Sequence, residues 1–109
     1  MSKGENIRSW IFVDDHNAAV DYIIKHGTLG ETYCIGGQEK TNKQVTLAIL
    51  KLLNMGEEMI EPVGHRLGHD FRYALDQSKL ENLGWKQEES FESALEKTVK
   101  WYKENEWWW

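Results

Sequence analysis

Trp10-Ile11-Phe12-Val13-Asp14, followed at once by Asp15-His16-Asn17-Ala18-Ala19-Val20-Asp21-Tyr22-Ile23-Ile24-Lys25-His26-Gly27, is the stretch on which the fold class turns. The aromatic and β-branched residues of the first part predict a short strand. The second part predicts a helix. Asp14 or Asp15 can cap it, Val20, Ile23 and Ile24 share one side, and Gly27 can end it. Thr32-Tyr33-Cys34-Ile35-Gly36 then predicts a second short strand, which Gly36-Gly37 releases into a loop. Strand, helix, strand in that order predicts an α/β domain.

Working outward, the clearest helix runs from about Thr41 to Asn54. Thr41 and Gln44 have capping-box spacing, Val45, Ala48, Ile49, Leu52 and Leu53 form one stripe, and Gly56 lies just past the end. Met59 to Val63 predicts a third strand, confined to an edge or a strand end because Pro62 has no amide to donate. Tyr73-Ala74-Leu75-Asp76 reads as extended. Ser78 and Glu81 again have capping-box spacing, for a turn or two carrying Leu80 and Leu83 before Gly84. Ser90 can cap a last helix in which Phe91, Ala94, Leu95, Thr98 and Tyr102 recur at helical spacing. The prediction is thus short strands with about four helices, in one domain spanning 1–109 without an internal boundary.

At 109 residues such a domain buries only roughly two-thirds of its unfolded surface, so it has little stability to spare. Six tryptophans, four tyrosines and three phenylalanines offer enough apolar surface for a core and argue against disorder. A formal charge of −5 excludes a non-specific grip on nucleic acid or on an anionic membrane, both of which need a cationic face. The start, Met1-Ser2-Lys3-Gly4-Glu5, lacks the apolar stretch of a signal peptide, and no segment approaches about 18 continuous apolar residues. Cys34 has no partner for an internal disulfide, reads as a small buried hydrophobe, and fits a reducing, cytoplasmic setting. The tail Glu106-Trp107-Trp108-Trp109 cannot turn three successive indoles toward one core. It packs on a partner, packs locally, or frays.

The chemistry concentrates in His65-Arg66-Leu67-Gly68-His69-Asp70-Phe71-Arg72. Two guanidinium forks and two imidazoles around a glycine suit a phosphorylated small molecule. Arg8 is a candidate third anchor, and Asn42 can add an amide near a helix start. The competing reading is salt bridging, for which the eighteen acidic residues supply partners. His65, His69 and Asp70 lack the glutamate of a helical zinc motif, and Gly68 breaks the helix that motif needs, so no metal is expected. Asp14 and Asp15 read as caps, Glu57-Glu58 as solvent-facing, and His16 and His26 as local polar groups. There is no Walker lysine motif and no G-x-G-x-x-G after a strand.

Asn6 to His16, Glu31 to Gly37, Arg66 to Asp70 with Arg72 to Asp76, Leu83-Gly84-Trp85 and Lys97 to Tyr102, in this order, resemble the C-terminal portion of dTDP-glucose 4,6-dehydratases of the extended short-chain dehydrogenase/reductase family. The likeness covers nearly the whole chain, though it separates the dehydratase, epimerase and decarboxylase branches less sharply. It implies a small C-terminal substrate-binding segment with the Rossmann core missing. Arg8, Asn42, Arg66 and His69 match positions that hold the nucleotide diphosphate end of the substrate. Arg66 would neutralise the diphosphate, His69 would donate a hydrogen bond, and Asn42 would orient the nucleotide. The family usually has asparagine at Cys34, aspartate at Ser9, proline at Leu67 and arginine at Phe71. Leu67 therefore removes a φ restraint beside Gly68, and Phe71 removes a positive charge.

The resemblance implies a parent reaction that oxidises the hexose at C4 with bound NAD, eliminates water between C5 and C6, and returns the hydride to C6. The family's cofactor fingerprint, its tyrosine and lysine, and its acid/base pair belong to a region preceding this one. No cofactor and no turnover are expected of this chain alone. The expected ligand is a dTDP-sugar nucleotide, and the expected protein partners are a Rossmann domain or a second copy meeting the apolar surfaces. The alternatives are a non-enzymatic dTDP-binding module, a piece that docks on a separate cofactor domain, and a segment of a sister epimerase or decarboxylase.

Overall fold

The computed structural model describes residues 4–64 and 66–109. Two short strands, β1 (Ile7–Trp10) and β2 (Gln38–Thr41), pair antiparallel, with Ile7 opposite Thr41 and Trp10 opposite Gln38. Four α-helices accompany them: α1 (Val13–His26), α2 (Asn42–Leu52), α3 (Ser78–Asn82) and α4 (Phe91–Glu104). Single 3-10 turns form at Glu57–Met59 and Glu106–Trp108. The molecule is α/β, as the strand and helix pattern predicts.

The strands differ in place from the expectation. The first ends at Trp10, and Val13 and Asp14 already belong to α1. The second lies at Gln38–Thr41 rather than Thr32–Gly36, in a polar segment that pairing with β1 holds extended. Gly37 makes that approach possible, since a Cβ there would fall 1.8 Å from the Trp10 carbonyl oxygen. Its N–H donates to Ser9 Oγ at 2.7 Å. Met59 to Val63 forms no strand, because the chain turns at Glu57–Met59 and continues irregularly.

Helix termini follow local chemistry. Thr41 and Gln44 make a full capping box: Thr41 Oγ1 accepts from the Gln44 N–H at 3.0 Å, and Gln44 Oε1 accepts from the Thr41 N–H at 2.8 Å. Ser90 Oγ accepts from the Ser93 N–H at 3.1 Å to start α4. Neither Asp14 nor Asp15 caps α1, whose cap residue is Phe12. Asp15 sits buried in the first turn, where a carboxylate favours the helix dipole, and accepts from the Glu89 N–H at 3.4 Å. Ser78 is likewise not the cap of α3. Ser78 is its first residue and Gln77 holds the cap position without a side-chain bond, while Asp76 just ahead accepts from the Ser78 N–H at 2.9 Å and also from its hydroxyl.

The apolar interior is small and built from Ala19 of α1, Val45 and Leu50 of α2, Leu80 of α3 and Ala94 of α4, with α2 packed on α4. At the end of the chain Trp101 meets Tyr102 and Trp108 edge-on, and Trp108 meets Trp107 the same way. Trp107, Trp108 and Trp109 remain exposed. No helix among the described residues is long and apolar enough to cross a membrane.

Candidate functional site

β1 is paired on both sides at Ile7. Opposite β2, its N–H donates to the Phe71 carbonyl at 2.8 Å and its carbonyl accepts from the Tyr73 N–H at 3.0 Å, a parallel bridge centred on Arg72. Asn6 is buried just before the strand and works in both directions. Its side-chain amide donates to the Asp70 carbonyl at 3.2 Å, and its carbonyl accepts from the Asn42 N–H at 2.9 Å. The start of β1 thus brings together the start of α2, with Asn42, and the loop that carries Arg66 and His69.

That loop turns tightly. The His69 N–H donates to the Arg66 carbonyl at 3.2 Å, and Gly68 has φ of 73°. A side chain at Gly68 would be strained in that left-handed conformation. Arg66 is exposed and His69 half-buried, and among the described residues neither side chain has a hydrogen-bonding or ionic partner. His65 lies outside the described residues.

The other two arginines are occupied. Arg8 Nη1 donates to the Ile7 carbonyl at 2.7 Å and to the Phe71 carbonyl at 3.4 Å, while Nη2 donates to the Asp70 carbonyl at 3.0 Å. Its guanidinium carbon also lies 4.2 Å from the centroid of the Tyr73 ring. Arg72 is a salt-bridging residue: Nε and Nη2 reach Glu39 Oε1 of β2 at 2.8 and 2.6 Å. The salt-bridging alternative therefore describes Arg72, and a free fork remains at Arg66. Cys34 is exposed, against the expectation of burial. Asn6 and Tyr73 help shape the site, and sequence reasoning gave them no role. Their contacts join residues far apart in sequence, for which no local spacing gives a signal.

Chemically the arrangement offers a guanidinium fork, an imidazole and a carboxamide on backbone fixed at one strand end. It contains donors for an anion and no paired carboxylates. Among the described residues no group of three or more histidines, cysteines or carboxylates is placed to hold a metal ion. Clefts elsewhere among the described residues include one lined by Gln77, Glu81, Trp85 and Gln87 and one lined by Phe12, Val13, Trp101 and Trp108.

The sequence profile of the family described as GDP-mannose 4,6 dehydratase matches residues 1–98. The dTDP-glucose 4,6-dehydratase of Mycolicibacterium smegmatis is 47% identical over 97% of this chain and 33% of its own length. Among solved structures, the dTDP-glucose 4,6-dehydratase of Bacillus anthracis in complex with NAD aligns with a TM-score of 0.92 at 43% identity, over 99% of this chain and 35% of that one. The dTDP-glucose 4,6-dehydratase of Streptomyces venezuelae, also with NAD bound, aligns with a TM-score of 0.93 at 40% identity, over 99% of this chain and 34% of that one. The chain spans about a third of the length of the curated relatives it matches.

Proposed function

The chain belongs to the GDP-mannose 4,6 dehydratase family, and from that premise we propose that it supplies the nucleotide-sugar-binding part of a dTDP-glucose 4,6-dehydratase. Residues 1–109 then form one substrate-side domain, and conversion of dTDP-glucose to dTDP-4-keto-6-deoxyglucose and water belongs to the complete enzyme. One observation supports this most directly. Among the described residues Arg66 and His69 have no side-chain partners, on a loop whose root is tied to β1, while Arg8 and Arg72 are engaged.

In this reading Arg66 holds the diphosphate by parallel N–H bonds, the arrangement in which a guanidinium matches phosphate oxygens. His69 donates one ring N–H to a phosphate oxygen. Asn42 orients the nucleotide through its side-chain carboxamide, since the N–H groups of Asn42, Lys43 and Gln44 in the first turn of α2 are already taken by Asn6, Gly4 and Thr41. Arg8, which has donors beyond those given to backbone carbonyls, is a third anchor for the same anion. These roles bind and orient; none breaks a bond.

NAD belongs to the whole enzyme in this account, as in the two solved relatives. The residues described here do not fit it. β1 and β2 are antiparallel, and no glycine-rich turn joins either to the helix that follows. No step of hydride transfer is therefore assigned to this chain. The exposed Val13 and Trp107 to Trp109 suit contact with a cofactor domain or a second copy, and an exposed free thiol at Cys34 suits a reducing cytoplasm.

Calorimetric titration with dTDP and with dTDP-glucose tests the reading. Saturable binding is expected, weakened roughly 10-fold or more by R66A through loss of a charge-assisted pair. No heat at millimolar nucleotide would overturn it.

A further inference from the structure

We infer that Asn6 is a positioning residue, holding the start of α2 and the Arg66–His69 turn in one register so that Asn42 and Arg66 meet the same ligand. This rests on the nucleotide-sugar reading and adds to it a residue too buried to bind the ligand itself, since Asn6 is 4% exposed. Its main chain serves α2. Residues 4–6 run past the first turn of that helix, where the Asn42 N–H donates to Asn6 O at 2.9 Å and the Lys43 N–H to Gly4 O at 2.8 Å. Its side chain serves the loop. Asn6 Nδ2 donates to Asp70 O at 3.2 Å, and the next N–H, that of Ile7, donates to Phe71 O at 2.8 Å. Two successive residues thus hold two successive loop carbonyls, beginning one residue after His69.

A carboxamide is unfavourable in a buried place unless it is hydrogen-bonded, so packing alone would be served better by an apolar side chain. What the amide adds is a directed bond to the loop. Arg8 Nη2 also reaches Asp70 O, at 3.0 Å, but that bond lies at the surface. An anion that engages Arg8 competes for the same guanidinium, while the buried amide stays out of its reach. Asn6 therefore keeps its hold on the loop root when the ligand is bound. The left-handed Gly68 shapes the tip. Donors held in advance lower the ordering cost of binding.

The test compares N6A, R66A and the double variant. In nucleotide-free protein, amide hydrogen exchange at the Tyr73 N–H, which is bonded to Ile7 O, should be roughly 10-fold faster in N6A and unchanged in R66A. In calorimetric titrations with dTDP, N6A should weaken binding about 10-fold. R66A should then cost about 2-fold or less in the N6A background, because an unplaced fork contributes little. A residue that only stabilised the fold would lower the melting temperature and leave the R66A factor at its wild-type value, and that result would overturn the inference. Unchanged Tyr73 exchange or wild-type affinity in N6A would overturn it as well. If N6A fails to fold, N6L keeps the buried volume without the donor and carries the same test. Faster Tyr73 exchange in N6A with no dTDP bound by the wild-type chain would overturn the nucleotide reading alone and leave the register role standing.

Discussion

The Tyr22 hydroxyl on α1 donates to the Leu83 carbonyl at the end of α3, across 3.0 Å and sixty-one residues of sequence. Gly84, the next residue, has φ of 113°, and a Cβ there would fall 2.4 Å from that same hydroxyl oxygen. Replacing Tyr22 by phenylalanine should cost about 1 kcal/mol, the ordinary net value of a hydrogen bond. G84A should cost about 1–3 kcal/mol from strained backbone, plus the clash. In the Y22F background the clash is gone, so G84A should cost less than it does alone. Urea unfolding of the four proteins reads this out, and strict additivity would contradict the geometry.

The capping box at α2 gives a second expectation. T41A removes the acceptor for the Gln44 N–H and should cost about 1 kcal/mol. For a domain of this size that lowers the melting temperature by roughly 4–8 °C. T41S should retain most of the stability, because its hydroxyl can make the same bond. Thermal melts followed by circular dichroism decide the point.

Three carboxyls are held below their ordinary values by hydrogen bonds. Glu89 receives them from Lys97 and then Ser93, Glu31 from Lys79, and Asp76 from Ser78. A carboxyl whose folded value is depressed stabilises the fold above its unfolded value and loses that contribution as pH falls through the folded one. Stability should therefore decline between about pH 5 and pH 3. E89Q should flatten that decline. Lys97 is raised, first by its hydrogen bond to Glu89, so its contribution holds through neutral pH and disappears in strong alkali. Urea midpoints across the range check both limbs.

The Cys34 thiol is free and exposed. One equivalent should react with a thiol reagent in the native protein, without denaturant, at the rate of an accessible cysteine. Reaction only after unfolding would show that the thiol is covered.

What could be read in advance was whatever a few neighbouring residues decide. The Thr41 and Ser90 caps follow from a hydroxyl and an amide three residues on, so spacing alone gives them. The apolar stripe of α2 is equally local. β2 could not be read, because Gln38-Glu39-Lys40-Thr41 has little strand character of its own. It is extended because β1 pairs with it and Gly37 permits the approach. Ser78 became the first residue of α3 rather than its cap, with Asp76 reaching its hydroxyl and amide together. The His65 to Arg72 cluster was visible as a source of cations, yet not which arginine stays free. Glu39 claims Arg72 from thirty-three residues away and the loop carbonyls claim Arg8, leaving Arg66 unpaired among the described residues. Those assignments depend on tertiary distances.

The edge-on tryptophans at the end of the chain make the molecule its own optical reporter. Trp107, Trp108 and Trp109 stand largely in water, whereas Trp101 is partly covered and Trp10 and Trp85 are half-buried. Its fluorescence is therefore dominated by the tail. Any surface that covers the tail will shift the emission to the blue, while loosening of the small interior will change it little. Ring centroids of Trp101 and Trp108 lie 6.1 Å apart, and those of Trp107 and Trp108 5.8 Å. At such separations the indole transitions couple, and the near-ultraviolet dichroism of this protein will record whether its last turn is formed.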